Sequence, residues 1–195
     1  MNNYPEYVEI EGIKFKINTD FRIAIQCNEI AENEKIGKYE RALAIIYKLF
    51  GKKGLEAFDL HDKLLLMAKN YLSCGKELQD TKNEQPDMNF IEDYAYIKTS
   101  FRSDYGMDID KENMHWWEFW DLMNGLSNSE LGNSCILNRI RNLRNIDLSE
   151  IEDDKERQRI AEAKKQVELK KYKKENNLTS EQEKSMEELN KLLGL

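Results

Sequence analysis

Residues 114–122 read Met-His-Trp-Trp-Glu-Phe-Trp-Asp-Leu, and this short stretch of large rings predicts where the protein is most densely packed. All three tryptophans of the 195-residue chain fall within the five positions 116–120. Each ring can remove about 150–250 Å² from water, so the three together must be buried in a core or in an interface. On a helix, one face carries Trp116, Phe119, Trp120 and Met123. We therefore predict that Trp116 and Trp120 are largely buried and that Trp117 faces outward.

The segment before the tryptophans changes from strand-like to helix-like periodicity. Apolar and polar residues alternate over positions 8–17 on both sides of Glu11-Gly12, which is typical of a β-hairpin with a positive φ at Gly12. A two-stranded hairpin is marginally stable alone, so it is expected to lie on the helices that follow. The first of these helices can be capped by Thr19 or Asp20.

Apolar residues at helical spacing predict further helices on both sides of the tryptophan segment. Their apolar stripes run over residues 39–50, 60–71, 90–101 and 136–143. The first stripe includes Tyr39 and Leu43, and its helix is expected to stop at Gly51.

Polar residues ahead of these stripes have the pattern of helix caps. Asp59 is expected to cap the helix over 60–71, and Ser127 with Glu130 forms a capping-box pattern for the helix that includes 136–143. Residues 76–87 are polar and are interpreted as the main internal loop.

The end of the chain differs from the rest in composition. Residues 150–175 are almost continuously charged, with helix-forming propensity but little to bury. A second capping box, Ser180-x-x-Glu183, opens an amphipathic stretch through Met186, Leu189, Leu192 and Leu193. The sequence therefore predicts a mainly α fold: a helical bundle with a small N-terminal β-hairpin and a C-terminal charged helical extension. The hairpin and helical core are expected to cover residues 1–146, and the extension residues 147–195.

The composition fits one acidic globular domain. A net charge of −7 argues against a global attraction to nucleic acid or anionic membranes, and the lysines of residues 164–174 scatter around their helix. The longest apolar run, residues 42–47, is too short to span a membrane, and we expect no secretory signal. The three cysteines are far apart and odd in number, so we expect reduced, mostly buried thiols.

Little in the sequence points to catalysis. The two histidines, His61 and His115, are far apart, and the chain contains no P-loop, dinucleotide-binding glycine motif or nucleophile elbow. Asp59-x-His61-Asp62 is interpreted as the start of a helix, and His115 is interpreted as a helix-start or packing residue. The acidic residues in 150–154 are interpreted as the beginning of a helix, where negative charge complements the helix dipole. We expect no enzyme activity, no catalytic residue, no metal site and no cofactor.

Two apolar features are candidate contacts for a partner. The tryptophan cluster fits a core, but Trp117 can also anchor a partner because tryptophan is enriched in binding hot spots. The stripe of Met186, Leu189, Leu192 and Leu193 has to dock on its own core, on another copy or on a partner, and the sequence leaves these alternatives open. These five residues form the predicted partner-binding set.

Two motifs carry a resemblance to a known family. The first is Phe90-x-x-Asp93-x-x-x-Ile97-x-x-Ser100-Phe101-x-x-x-Tyr105-Gly106-x-Asp108. The second is His115-Trp116-Trp117-x-Phe119-x-x-Leu122-x-x-Gly125-Leu126. With Ile17-x-x-Asp20-Phe21-Arg22, these motifs make the chain from about residue 13 to residue 150 resemble the bacteriophage "gene product fifteen" family of siphophages that infect Gram-positive hosts. Residues 150–195 add no motif to the resemblance.

Members of that family lie in tail-gene clusters, near the genes for the tail tube and tape-measure proteins. The resemblance implies a tail-assembly chaperone or accessory protein that binds tape-measure protein, tail tube protein or both in the host cytoplasm and is absent from the mature virion. A minor structural component of the virion tail or connector is the alternative. The resemblance brings no catalytic residues, and it leaves self-association and a frameshifted longer product open.

Overall fold

The N-terminal hairpin forms as the alternating pattern predicts. The computed structural model describes residues 4–76, 86–128 and 134–172, and it pairs β1 (Tyr7–Ile10) with β2 (Ile13–Lys16) in antiparallel register. Both residues of the connecting turn have positive φ, 53° at Glu11 and 77° at Gly12. This is the backbone geometry of a tight two-residue hairpin turn that follows the twist of the strands. The positive φ thus extends to Glu11, where the sequence pattern did not predict it.

Seven α-helices make up most of the described residues and confirm the mainly α fold. In chain order they are α1 (Phe21–Glu32), α2 (Lys38–Glu56), α3 (His61–Leu72), α4 (Tyr94–Tyr105), α5 (Trp116–Gly125), α6 (Ile136–Asn145) and α7 (Asp154–Gln166). Short 3₁₀ turns occupy Phe58–Leu60, Leu148–Glu150 and Lys170–Tyr172. The connections from α1 to α2 and from α2 to α3 are short, so these consecutive helices pack as neighbours.

Two local signals at helix boundaries are confirmed. Asp20 caps α1 as predicted, because its carboxylate accepts a hydrogen bond from the Arg22 amide at 2.8 Å. The helical run of α2 is interrupted at Gly51, where it was predicted to stop: that residue has a non-helical φ of 64° and ψ of −159°, and a second helical piece follows it to Glu56. Glycine can adopt this backbone conformation without a Cβ clash, so α2 consists of two helical pieces that meet at a kink.

Two predicted helix caps are wrong. Asp59 lies inside the 3₁₀ turn before α3, and no side chain caps α3, because the turn runs directly into the helix through the bond from the His61 amide to the Phe58 carbonyl. Ser127 lies well before α6, whose N-cap is Cys135. The Ser127 carbonyl instead accepts a hydrogen bond from the Cys135 amide at 2.9 Å. Glu130 and most of the predicted loop over 76–87 lie outside the described residues.

The centre of the core is a stack of aromatic rings around α5. Phe119 of α5 is fully buried and stacks on Phe21 of α1 and Phe101 of α4, with ring centroids 4.5 and 5.3 Å apart. Trp116 stacks on the same ring at 5.8 Å. α1 therefore shares one continuous apolar interior with α4 and α5, which lie far from it in the chain.

A backbone bridge fixes the beginning of α5 beside the beginning of α1. The Phe21 amide donates to the Met114 carbonyl at 3.1 Å, and the Trp116 amide donates to the Thr19 carbonyl at 2.8 Å. The first residues of the two helices therefore lie side by side. This places the tryptophans of α5 against the side of the core that α1 and α3 form.

The described part of the charged extension lies against the helices that precede it. Asp153 caps α7 by accepting a bond from the Glu156 amide at 2.7 Å, which confirms that the acidic residues begin a helix. α7 packs along α6, and Leu169 beyond α7 is buried. The domain boundary at residue 146 stays a prediction, but residues 147–172 are folded onto the core.

Candidate partner-binding surfaces

His115 begins the tryptophan helix and holds the N-terminal segment against it. Its Nδ1 accepts a hydrogen bond from the Trp117 amide at 3.0 Å. Its Nε2 lies 3.1 Å from the Pro5 carbonyl, an acceptor, so the proton of the neutral ring belongs on Nε2. The Tyr4 ring stacks on the imidazole with centroids 5.0 Å apart. The interpretation of His115 as a helix-start and packing residue is confirmed.

Trp116 and Trp117 connect α5 to the end of α3 through their indole N–H groups. Trp116 Nε1 donates to the Leu72 carbonyl at 3.0 Å, and Trp117 Nε1 donates to the Tyr71 carbonyl at 2.9 Å. Carbonyls in the last turn of a helix lack partners within the helix. The two adjacent tryptophans thus satisfy carbonyls of the last turn of α3 while their rings pack.

The predicted difference between Trp117 and Trp120 is wrong, although the burial of Trp116 is confirmed at 1% exposure. Trp117 and Trp120 are both half-buried and packed against the core. Trp117 stacks on Tyr71 and lies so close to Gly75 that a Cβ there would be 3.4 Å from the indole. Trp120 packs on Trp116 and on Phe90. Both residues keep part of their surface exposed, and a contact between Trp117 and a partner stays a prediction.

Burial controls the ionisation of two cysteine thiols in the described core. Burial raises the pKa of the Cys27 and Cys74 thiols to about 12, although a lysine near each one opposes the shift. A thiol with so high a pKa is protonated at neutral pH and is a poor nucleophile. Cys27 and Cys135 are buried as expected, whereas Cys74 is half-buried.

The region around His61 provides no ligand arrangement either. His61 Nε2 lies 3.0 Å from the Leu55 carbonyl and is used in that contact. Within the described ranges, no three histidine, cysteine, aspartate or glutamate side chains converge as metal ligands. None of the helices in those ranges is long and apolar enough to cross a bilayer.

Arg144 is the residue that fastens the extension, and the sequence analysis missed it. Its guanidinium makes two bonds of 2.7 and 2.8 Å to the Asp93 carboxylate, whose side chain is only 1% exposed. It also donates to the Val167 carbonyl at 2.6 Å and to the Asp87 carbonyl at 2.8 Å. One partly buried cation therefore joins the start of α4, the end of α6 and the chain after α7. Asp93 belongs to the first family motif, but its partner Arg144 lies 51 positions away.

The last 3₁₀ turn is held against α1 and against the turn before α4. The Glu92 carboxylate accepts bonds from the Lys170 and Lys171 amides at 2.8 and 2.7 Å. The Lys171 ammonium lies 2.7 Å from a Glu29 carboxylate oxygen and 2.9 Å from one of Glu32, and the Tyr172 hydroxyl donates to Glu32 at 3.0 Å. The described chain therefore ends beside the C-terminal turn of α1.

An open cleft of about 1850 Å³ separates the end of α1 from α7. Charged side chains of both signs line it, including Glu29, Lys35, Asp87, Lys164 and Lys165. Enclosed, mostly apolar pockets are typical of small-molecule sites. This wide, charged cleft does not have these features.

The clearest apolar surface lies on the first turns of α2 and on Ile36, which precedes the helix. We call Ile36, Tyr39, Leu43 and Tyr47 the α2 stripe; Tyr39 is 66% exposed, Tyr47 54% and Ile36 36%. Leu43 is partly exposed, and none of the four is among the residues packed on the core. The predicted apolar stripe of this helix includes Tyr39, Leu43, Ile46 and Phe50, and of these four only Ile46 and Phe50 are buried. Periodicity located the face, but it could not show which of its side chains the neighbouring elements cover.

The structure does not test the predicted partner-binding residues near the end of the chain. Met186, Leu189, Leu192 and Leu193 lie outside the described residues. The surface that the structure adds to the predicted set is the α2 stripe.

Fold and surfaces together define a small, mainly helical protein with an N-terminal hairpin and exposed apolar side chains along one helix. The chain belongs to the bacteriophage Gp15 family: the family model described as "Bacteriophage Gp15 protein" matches residues 1–169. The match is longer than the motifs predicted, since it includes the hairpin and the whole of α7. Comparison with curated proteins and with solved structures finds no match.

Proposed function

We propose that this protein is a non-enzymatic tail-assembly chaperone or accessory protein that binds tape-measure protein, tail tube protein or both. Membership of a bacteriophage family supports a viral protein. The tail-gene neighbourhood that the sequence resemblance implies supports a role in tail assembly. The single observation that carries the binding role is the α2 stripe, whose tyrosines are more than half exposed. Exposed apolar side chains grouped on one face are typical of protein-binding surfaces.

An amphipathic helix is the ligand that fits the α2 stripe best. Tyr39, Leu43 and Tyr47 recur every four residues, so they form a ridge that an apolar helix face can contact. Tyrosine suits such a surface because its ring offers a large contact area while its hydroxyl stays hydrated in the free protein. A tape-measure protein rich in apolar helical stripes would need such cover until tube subunits polymerise around it. The net charge of −7 would help to keep the complex soluble.

Co-expression with the tape-measure protein tests this proposal. We expect the wild-type chain to raise the soluble fraction of tape-measure protein, and Tyr39→Glu with Tyr47→Glu to abolish the increase. The matched control is Phe58→Glu with Leu66→Glu, because these residues are 74% and 61% exposed and lie outside the stripe. Unchanged tape-measure solubility with and without the wild-type chain would refute the chaperone role. Equal effects of the two double variants would remove the α2 stripe as the binding surface.

The presence or absence of the protein in mature virions distinguishes a chaperone from a structural component. A chaperone acts in the host cytoplasm and leaves before the particle is complete, so we expect mass spectrometry of purified virions to find no peptides of this chain. Stoichiometric amounts in the virion would instead support a minor component of the tail or connector.

A further inference from the structure

The helical part of the α2 stripe has the geometry of a surface that can pack against a copy of itself. Tyr39, Leu43 and Tyr47 are four residues apart, so they form a ridge along α2. Ridges of this spacing on two helices commonly pack into each other's grooves in globular proteins. Tyr39 and Tyr47 lie symmetrically about Leu43. A two-fold axis at Leu43 would therefore bring Tyr39 of each copy against Tyr47 of the other.

The charged side chains beside this ridge fit an antiparallel pair of helices. Glu40, Ala44 and Lys48 form the adjacent row of α2, also at four-residue spacing. Glu40 and Lys48 lie about 12 Å apart along the helix, at roughly 1.5 Å per residue, so they do not pair with each other. Lys48 Nζ donates to the neutral side-chain amide of Gln26 at 2.7 Å.

The orientation of the two helices decides which charges meet. An antiparallel pair places Glu40 of each copy opposite Lys48 of the other, with the small Ala44 side chains between them. A parallel pair would instead place Glu40 beside Glu40 and Lys48 beside Lys48, and like charges that meet across an interface are unfavourable. The row beside the ridge is therefore complementary to itself in the antiparallel orientation.

We propose that two copies of the free protein pair through their α2 stripes in antiparallel orientation. Tyr39 and Tyr47 are each more than half exposed in the single chain. The four rings of a dimer can remove roughly 400–600 Å² from water. Stable protein interfaces bury about 1,200 Å² or more, so this dimer is weak and reversible. Pairing hides the apolar side chains until a partner helix displaces the second copy, and it stands whether or not that partner is a tail protein.

Sedimentation equilibrium of the full-length chain at physiological salt tests the inference over the micromolar to millimolar range. We expect the mean mass to rise towards that of a dimer with concentration, and Tyr39→Glu with Tyr47→Glu to stay monomeric. Phe58→Glu with Leu66→Glu is the matched control, because it adds the same charge at exposed apolar residues outside the stripe. This control should dimerise like the wild type.

A charge swap tests the antiparallel orientation. Glu40→Lys and Lys48→Glu each place like charges opposite each other, so we expect each single variant to dimerise several-fold more weakly than the wild type. The two substitutions change the net charge in opposite directions, so overall charge does not explain a weakening in both. Glu40→Lys combined with Lys48→Glu restores the opposite charges and the net charge of −7, and its dimer should regain the wild-type affinity.

Three results would overturn the inference. A mass that stays monomeric at every concentration would show that the copies do not pair, and it would not affect the co-expression test of the proposed function. A dimer that survives Tyr39→Glu with Tyr47→Glu would place the interface elsewhere. A double charge swap that recovers none of the affinity lost in the single variants would exclude the antiparallel pair. Thermal melting at a concentration where every variant is monomeric checks that the substitutions leave the monomer folded.

Discussion

At the scale of single residues, the polar atoms of the tryptophan cluster position it as much as its rings do. The indole N–H groups of Trp116 and Trp117 bond to adjacent carbonyls, those of Leu72 and Tyr71. A buried hydrogen bond removes the desolvation cost of both groups and permits one rotamer of the ring. The end of α3 is therefore joined to the start of α5 in a single arrangement.

The burial of the tryptophans predicts unequal effects on stability. Trp116→Ala is expected to lower the free energy of unfolding by about 3–5 kcal/mol, as is usual for large core rings. Trp120→Ala should lower the free energy of unfolding by less, because Trp120 is half-buried and water can fill the space left by its ring. Urea denaturation of both variants measures the difference. An equal loss in the two would contradict the structure.

The buried thiol of Cys27 makes stability depend on alkaline pH. Burial raises its pKa from 9.0 to about 12, against the opposing charge of Lys48. Below pH 9 both the folded and the unfolded chain keep the proton, so this thiol contributes no pH dependence. From pH 9 to about 12 only the unfolded chain loses the proton, so stability falls as the pH rises. Urea denaturation at several pH values should show a shallower fall above pH 9 in Cys27→Ala than in the wild type, and parallel falls would contradict this linkage.

At the scale of elements, α2 consists of parts with different environments. Ile45, Ile46, Leu49 and Phe50 are buried, whereas Tyr39 and Tyr47 are exposed. The kink at Gly51 then redirects the end of the helix beside the hairpin, where Lys53 Nζ donates to the Lys14 carbonyl at 2.7 Å. One helix thus supplies core packing, an open surface and the support of the hairpin.

The kink makes Gly51 sensitive to substitution. With φ 64° and ψ −159°, it occupies a conformation that any Cβ strains, so Gly51→Ala is expected to cost about 1–3 kcal/mol. The space around Gly51 is open, so the cost arises from the backbone and not from a clash with neighbours. Thermal or urea unfolding measures it, with Lys52→Ala as the neighbouring control. A change no larger than that of the control would contradict the assigned conformation.

At the scale of the whole molecule, Arg144 holds α6 against the start of α4 through Asp93 and reaches the extension through the Val167 carbonyl. Arg144 binds Asp93, and its remaining donors reach the backbone of residues 87 and 167. The family match ends at residue 169, just after this junction. The described extension therefore belongs to the folded body, and its fastening is separate from the aromatic core.

Removing one partner of this pair should have a large and distributed effect. Arg144→Leu leaves the Asp93 carboxylate buried without its cation, and we expect a loss of about 3–5 kcal/mol in stability. Hydrogen exchange should also become faster across α7, because its attachment to α6 is weakened. Arg159→Leu is the control, since Arg159 is 79% exposed and its ion pair with Glu156 is long at 3.9 Å. A similar effect of the two substitutions would contradict the role of Arg144.

The parts of the fold that were predictable depend on neighbours in sequence. The turn at Glu11-Gly12 and the Asp20 cap follow from backbone preferences of a few adjacent residues. The false caps at Asp59 and Ser127 show the limit of this reasoning. A capping residue type makes a helix start favourable, but the surrounding packing selects the residue at which the helix begins.

The sequence by itself determined the helical class, the hairpin, the burial of Trp116 and the membership of a bacteriophage family. Only the tertiary structure decided that Trp117 faces the end of α3, that Arg144 reaches Asp93 and that Tyr39 and Tyr47 of α2 stay exposed. Local preferences and periodicity act over a few residues, whereas these contacts depend on which distant segments meet. Whether an apolar face is core or binding surface is decided by what packs against it.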